Sequence, residues 1–161
     1  MLFRSGSCRS GKAAWAFVVL CEQKGHEGSR FVRVGYAAGR VQEDIGPCEQ
    51  TAQDAEATAI IAAVEFLLSR QNTQIVDVHL HFDATAVGYG IVGKSNLIQQ
   101  DHTVSARQWS ARVLMSILQR KHRQWYGYHV HAHQGHPWNE FVDSLAGLAA
   151  NGWLPHVHAV L

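Results

Sequence analysis

The chain has 161 residues, 47% of them hydrophobic, the size of one ordinary domain that buries a core without disulfide or metal staples. Fourteen Lys plus Arg against thirteen Asp plus Glu leave a formal charge of +1, so overall charge holds no polyanion and any such partner needs a local patch. Three cysteines, Cys8, Cys21 and Cys48, are odd in number and lack CxxC spacing, which argues against a disulfide scaffold and for a reducing, intracellular compartment, cytoplasmic or nuclear.

Leu2 to Cys8 predicts a short extended piece ending in the turn-like Ser5-Gly6-Ser7. Arg4, Arg9 and Lys12 then precede the apolar run Ala13 to Cys21, the charge-then-hydrophobe order of a signal peptide. No small-residue cleavage site follows, and the run is far short of the ~20 apolar residues of a membrane span, so no membrane partner is expected. A strand over Lys12 to Glu22, apolar on both faces, fits better and suits a central position in a sheet. Gly25 to Ser29 is a turn cluster, and Arg30 to Gln42 alternates as a half-exposed strand. Three strands joined by short turns predict an antiparallel meander, which Pro47 ends.

Thr51 to Ser69 predicts the clearest helix, capped by Thr51, with Ala52, Ala55, Ala59, Ile60, Ala63, Val64 and Leu67 on one stripe and Glu56 among them. Ile75 to Phe82 reads as a second central strand with Asp83 at its carboxyl end. A helical stretch around Ala84 to Val92, a polar loop from Gly93 to Thr103 and a long helix from Val104 to about Arg123 follow, the last with Gln108, Ala111, Met115 and Leu118 inward. Arg107, Arg112, Arg120, Lys121 and Arg123 form a basic set on that helix suited to phosphates. Tyr126 to His133 is the last strand, and Trp138 to Ala150 the last helix, stopped by Asn151-Gly152. The order predicts one α/β domain over residues 1–150 and a tail over 151–161. Its five-stranded mixed sheet has three antiparallel and then two parallel strands, with helices on both faces.

The densest chemistry lies in His133-Gln134-Gly135-His136-Pro137-Trp138-Asn139-Glu140-Phe141-Val142-Asp143. Asn139, Val142, Asp143, Ala146, Ala149 and Ala150 fall at helical spacing, which puts the Asp143 carboxylate on an apolar stripe, where it needs a proton, hydrogen bonds or a cation. Glu56 on an inward helical face and Asp83 at a strand's carboxyl edge join it in order along the chain. Three carboxylates expected at one sheet edge are best explained by divalent cations, Mg²⁺ or Mn²⁺.

These segments resemble the ribonuclease H family from Leu2 to about Ala150. Thr51-Ala52-Gln53-Asp54-Ala55-Glu56 is similar to the family's Thr-x-x-x-x-Glu helix start, Phe82-Asp83 to its second acidic strand end, and His133 through Asp143 to its His-x-Gly-His-Pro-x-Asn-Glu-x-x-Asp block. The resemblance implies a ribonuclease H-like fold and a metal-dependent endonuclease that cleaves the RNA strand of RNA–DNA hybrids. Glu56, Asp83 and Asp143 would be ligands of a two-metal Mg²⁺ or Mn²⁺ site and His133 a mobile catalytic histidine. Gly6, Ser7, Cys8, Thr51, Gln53, Asn139 and Glu140 would meet the substrate. Trp109, Trp125 and Trp138 resemble the aromatic-rich ribonuclease H domains of retroelements, which would make a reverse transcriptase polyprotein the parent.

One departure bears on activity. The family's first strand ends Asp-Gly-Ser, and here Ser5 stands at the position of that Asp, so a neutral hydroxyl replaces a charge expected to contact both metals. Activity is expected to be impaired, and Ser5→Asp to complete the set. Ala52 and Gln53, and Ala84 and Thr85, also depart from the family's substrate-binding residues. The alternative is a disarmed ribonuclease H-fold module that binds nucleic acid or serves as a scaffold. A more distant one is a zinc hydrolase, because His79-x-His81-x-Asp83 has ligand-like spacing and His129 and His131 lie on the neighbouring strand.

Overall fold

The computed structural model describes residues 1–9, 11–41, 51–69, 77–83, 106–121, 124–131, 134–153 and 158–159. The helix expected around Ala84 to Val92, the loop to Thr103, Cys48 and His133 lie outside the described residues.

The meander forms as its alternation predicts: β1 (Leu2–Arg9), β2 (Lys12–Gly25) and β3 (Gly28–Arg40) pair antiparallel in succession. β4 (Asp77–Phe82) runs parallel to β1, and β5 (Gln124–His129) parallel to β4. The order β5-β4-β1-β2-β3 puts the first strand at the centre, with the carboxyl ends of β1 and β4 on the same edge. Two residues of the tail extend the sheet: β6 (His158–Ala159) pairs with Gly35 and Tyr36 on the outer edge of β3.

Three helices are described: α1 (Ala52–Ser69), α2 (Ala106–Lys121) and α3 (Pro137–Ala150). Helices α1 and α2 cover one face, where Leu2, Phe17, Val19, Ile60, Val64, Leu80, Phe82 and Met115 are buried together. Helix α3 covers the other, packing Val142, Ala146 and Ala149 on Phe3, Ala14, Ala16 and Val18. The small alanines of β2 on that side leave room for a close helix, while its Phe17 and Val19 fill the deeper side. This is why β2 reads as apolar throughout. Removing the Leu80 side chain, fully buried at the centre, is expected to cost about 2–5 kcal/mol.

Helix α1 starts where Thr51 caps it, and its partner is Asp54. Asp54 N–H donates to Thr51 Oγ1 at 3.1 Å, and the Thr51 hydroxyl donates to Asp54 Oδ2 at 2.8 Å, closing a reciprocal box. The expected stripe shifts slightly, because Ala52 is exposed and Ala57 buried. At the far end of the other layer, Arg40 reaches from β3 to the last carbonyls of α3, its Nε at 3.3 Å from Ala149 O. A cation there suits the negative end of the helix.

Candidate active site

Strand alternation decides which side chains of β1 meet the helices. Leu2 lies in the core beneath α1 and Phe3 in the core beneath α3, so Arg4 and Gly6 face α1 while Ser5 faces α3. Gly6 touches the backbone of α1: a Cβ there would lie 2.5 Å from Glu56 N and 2.8 Å from the Ala55 carbonyl carbon. Only glycine allows that approach, and it lets the Gly6 N–H donate to Glu56 Oε1 at 2.8 Å.

The other oxygen of Glu56 forms an ion pair with Arg4 Nη1. Arg4 is wholly buried and Glu56 nearly so. Burial pushes the Arg4 guanidinium down to about 10, and the nearby Asp83 carboxylate opposes that shift, so Arg4 stays charged at neutral pH. Ser5, at the expected acid position, is buried with 3% exposure.

Asp83 follows β4 and is held through its backbone. The His129 Nε2–H donates to the Asp83 carbonyl at 3.1 Å, and Val130 N–H donates to Phe82 O at 2.8 Å, so the end of β5 fixes the end of β4. Asp83 Oδ1 is buried without a hydrogen-bond partner. Helix α3 brings the third set. Gly135 adopts φ 78°, a left-handed turn that suits glycine, and Pro137 opens the helix. Asn139 is buried and its Nδ2 lies 3.5 Å from Asp143 Oδ2, which is half-buried, as is Glu140. Of the remaining expected contacts, Cys8, Thr51 and Gln53 are exposed and Ser7 is half-buried.

The ribonuclease H family model matches residues 1–151. The chain belongs to the ribonuclease H family. By family and fold it stands with hydrolases of RNA in RNA–DNA hybrids. The ribonuclease H1 of the halophilic archaeon Halobacterium salinarum is similar in fold, at 22% identity and TM-score 0.64, over 93% of this chain and 96% of that one. LC11-RNase H1 in complex with an RNA/DNA hybrid matches at 14% identity and TM-score 0.64, over 93% and 95%. The foamy viral protease–reverse transcriptase in complex with double-stranded DNA matches at 14% and TM-score 0.57, over 92% and 90%. A comparison with curated proteins finds no match.

Ribonuclease H proteins generally use divalent metal ions. Among the described residues no three His, Cys, Asp or Glu side chains are grouped so as to hold one. Glu56 has one oxygen on Gly6 and the other on Arg4. As it stands, Glu56 has neither oxygen free for a divalent ion.

Register rules out one zinc ion shared by His79 and His81 with His129. Phe82 pairs with His129, and His81 with Tyr128, so His129 lies on the α1 side while His79 and His81 lie on the α3 side. Histidines on opposite faces of a sheet cannot share one ion. His79 and His81 instead stack with rings: His81 lies 4.3 Å from Phe3 and 5.1 Å from Tyr128, and His79 lies 4.8 Å from Tyr126.

Sequence reading missed Arg4, Asp54 and the donor role of His129. For Asp54 a signal was available, an acid three residues after a capping threonine. For Arg4 the available signal was a charge inside an apolar strand facing an acid-bearing helix.

Proposed function

We propose that this chain binds RNA–DNA hybrids and that its endonuclease activity on the RNA strand, metal-dependent in the family's manner, is impaired in the chain as it stands. The observation that carries the second half is the buried Arg4–Glu56 ion pair beside a neutral Ser5, where cleavage would call for carboxylates open to metal. Family membership supports the first half, as does the fold likeness to LC11-RNase H1 in complex with an RNA/DNA hybrid. Ser7, Thr51, Gln53 and Glu140 carry polar groups of the kind that bond 2′-hydroxyls across a minor groove, which supports the same reading. A reverse transcriptase parent and an intracellular site of action belong to the same proposal, and the likeness to the foamy viral protein supports the former as a likeness of fold.

Gel retardation of a labelled hybrid against duplex DNA of the same sequence, in EDTA and then with Mg²⁺ or Mn²⁺, tests both halves. The expected result is preferential retention of the hybrid in EDTA and an intact RNA strand after metal is added. Equal retention of the two duplexes would defeat the proposed ligand. Rapid cleavage in Mg²⁺ would defeat the impairment.

A further inference from the structure

Arg4 is the largest fully buried side chain among the described residues, and none of the roles expected of the site requires it. A guanidinium taken out of water is among the costliest burials a protein can make unless acids meet it. Here Glu56 does: Nη1 pairs with it, and the Phe82 ring lies 5.7 Å from the central carbon of the guanidinium. Nε and Nη2 have no hydrogen-bond partner, nor does Asp83 Oδ1, so the group is held by charge more than by directed bonds. The acid it serves, Glu56, is one of the three carboxylates that the sequence assigns to metal.

We propose that the Arg4 guanidinium neutralises Glu56 in place of a divalent ion, closing that position to Mg²⁺ and Mn²⁺. The chain then folds around an internal cation and needs no metal for stability. A consequence follows for Ser5. Ser5→Asp alone adds a carboxylate but leaves the guanidinium in place, so it does not create a metal site. Replacing Arg4 and Ser5 together opens one.

The test is metal binding and stability, with no nucleic acid present, so its outcome is independent of whether the chain binds hybrids. Thermal unfolding is followed in EDTA and in millimolar Mg²⁺ or Mn²⁺ at matched ionic strength, for the native chain, Ser5→Asp, Arg4→Met and the Arg4→Met/Ser5→Asp pair. The native chain and Ser5→Asp are expected to show no metal-dependent shift. Arg4→Met is expected to melt lower in EDTA and to regain part of the loss with metal, and the pair to regain more, with Mn²⁺ affinity at least about tenfold above that of the native chain, as befits removal of one close like charge. A native chain stabilised by Mg²⁺ as much as Arg4→Met would overturn the proposal. Should the Arg4 variants fail to fold, Glu56→Gln in the native chain decides by sign. Beside an internal cation it removes a partner and lowers the melting temperature in EDTA. In a cluster of uncompensated acids it relieves repulsion and raises it, and a rise would overturn the proposal.

Discussion

Gly6 and Glu56 approach so closely that no side chain fits between them: the Gly6 N–H donates to Glu56 Oε1 at 2.8 Å, and a Cβ on Gly6 would stand 2.5 Å from Glu56 N. The atoms in the way are helix backbone, which cannot swing aside as a flexible side chain would. Gly6→Ala is therefore expected to push β1 away from α1 and to destabilise the fold by about 1–3 kcal/mol. Urea unfolding measures the loss. A change within about 0.5 kcal/mol, the ordinary range for a surface substitution, would mean that the strand and helix are less tightly joined.

His81 makes stability depend on pH. Its pKa is pushed down to about 4, by burial first and then by neighbouring positive charge that includes His136 and His79, and its Nε2 has no hydrogen-bond partner. Between pH 4 and the ordinary value of 6.5 the unfolded chain takes up a proton at this residue that the folded chain refuses. Its stabilising contribution is complete above that window and is lost as pH falls through it. His81→Phe, which keeps a ring between Phe3 and Tyr128, should flatten the decline in urea midpoint from neutral pH to about pH 5. Identical slopes in the two proteins would show that His81 is not the source.

The Thr51–Asp54 box should behave as a unit. Thr51→Ala is expected to cost about 1 kcal/mol, because it leaves an N–H of the first turn without its acceptor. Asp54→Ala should cost a similar amount, and the double variant less than the sum of the two, since each change breaks the same reciprocal pair. Full additivity in chemical denaturation would show that the two side chains cap independently.

His129 should position Asp83. His129→Phe keeps the ring that lies against Phe82 but removes the hydrogen bond to the Asp83 carbonyl, an expected loss of about 0.5–1.5 kcal/mol. Amide exchange at Val130, whose N–H bonds Phe82 O, is expected to quicken with it. Unchanged protection there would separate the ring contact from any role in holding the strand end.

The sequence alone determined the elements and the positions of the acids, because both rest on short periods. Alternation marks β1 to β3, and a 3.6-residue stripe marks α1, with Glu56 riding on it. Ser5 at an expected aspartate is legible from the resemblance of Ser5-Gly6-Ser7 to the family's Asp-Gly-Ser. Other features depend on which faces meet, and one strand says nothing of its neighbour's register. His129 and His81 alternate alike in the sequence, yet the pairing of Phe82 with His129 sends their rings to opposite sides of the sheet. Glu56 and Asp143 both read as inward, and only the tertiary structure shows that the helices carrying them, α1 and α3, pack on two different cores. Arg4 read as part of a basic stretch before an apolar run. Only the tertiary structure decided that it is buried, because a charged side chain inside a strand is tolerable only if the fold brings an acid to it. Here that acid comes from a helix whose contact with the same strand, Gly6 to Glu56, spans 50 residues of chain.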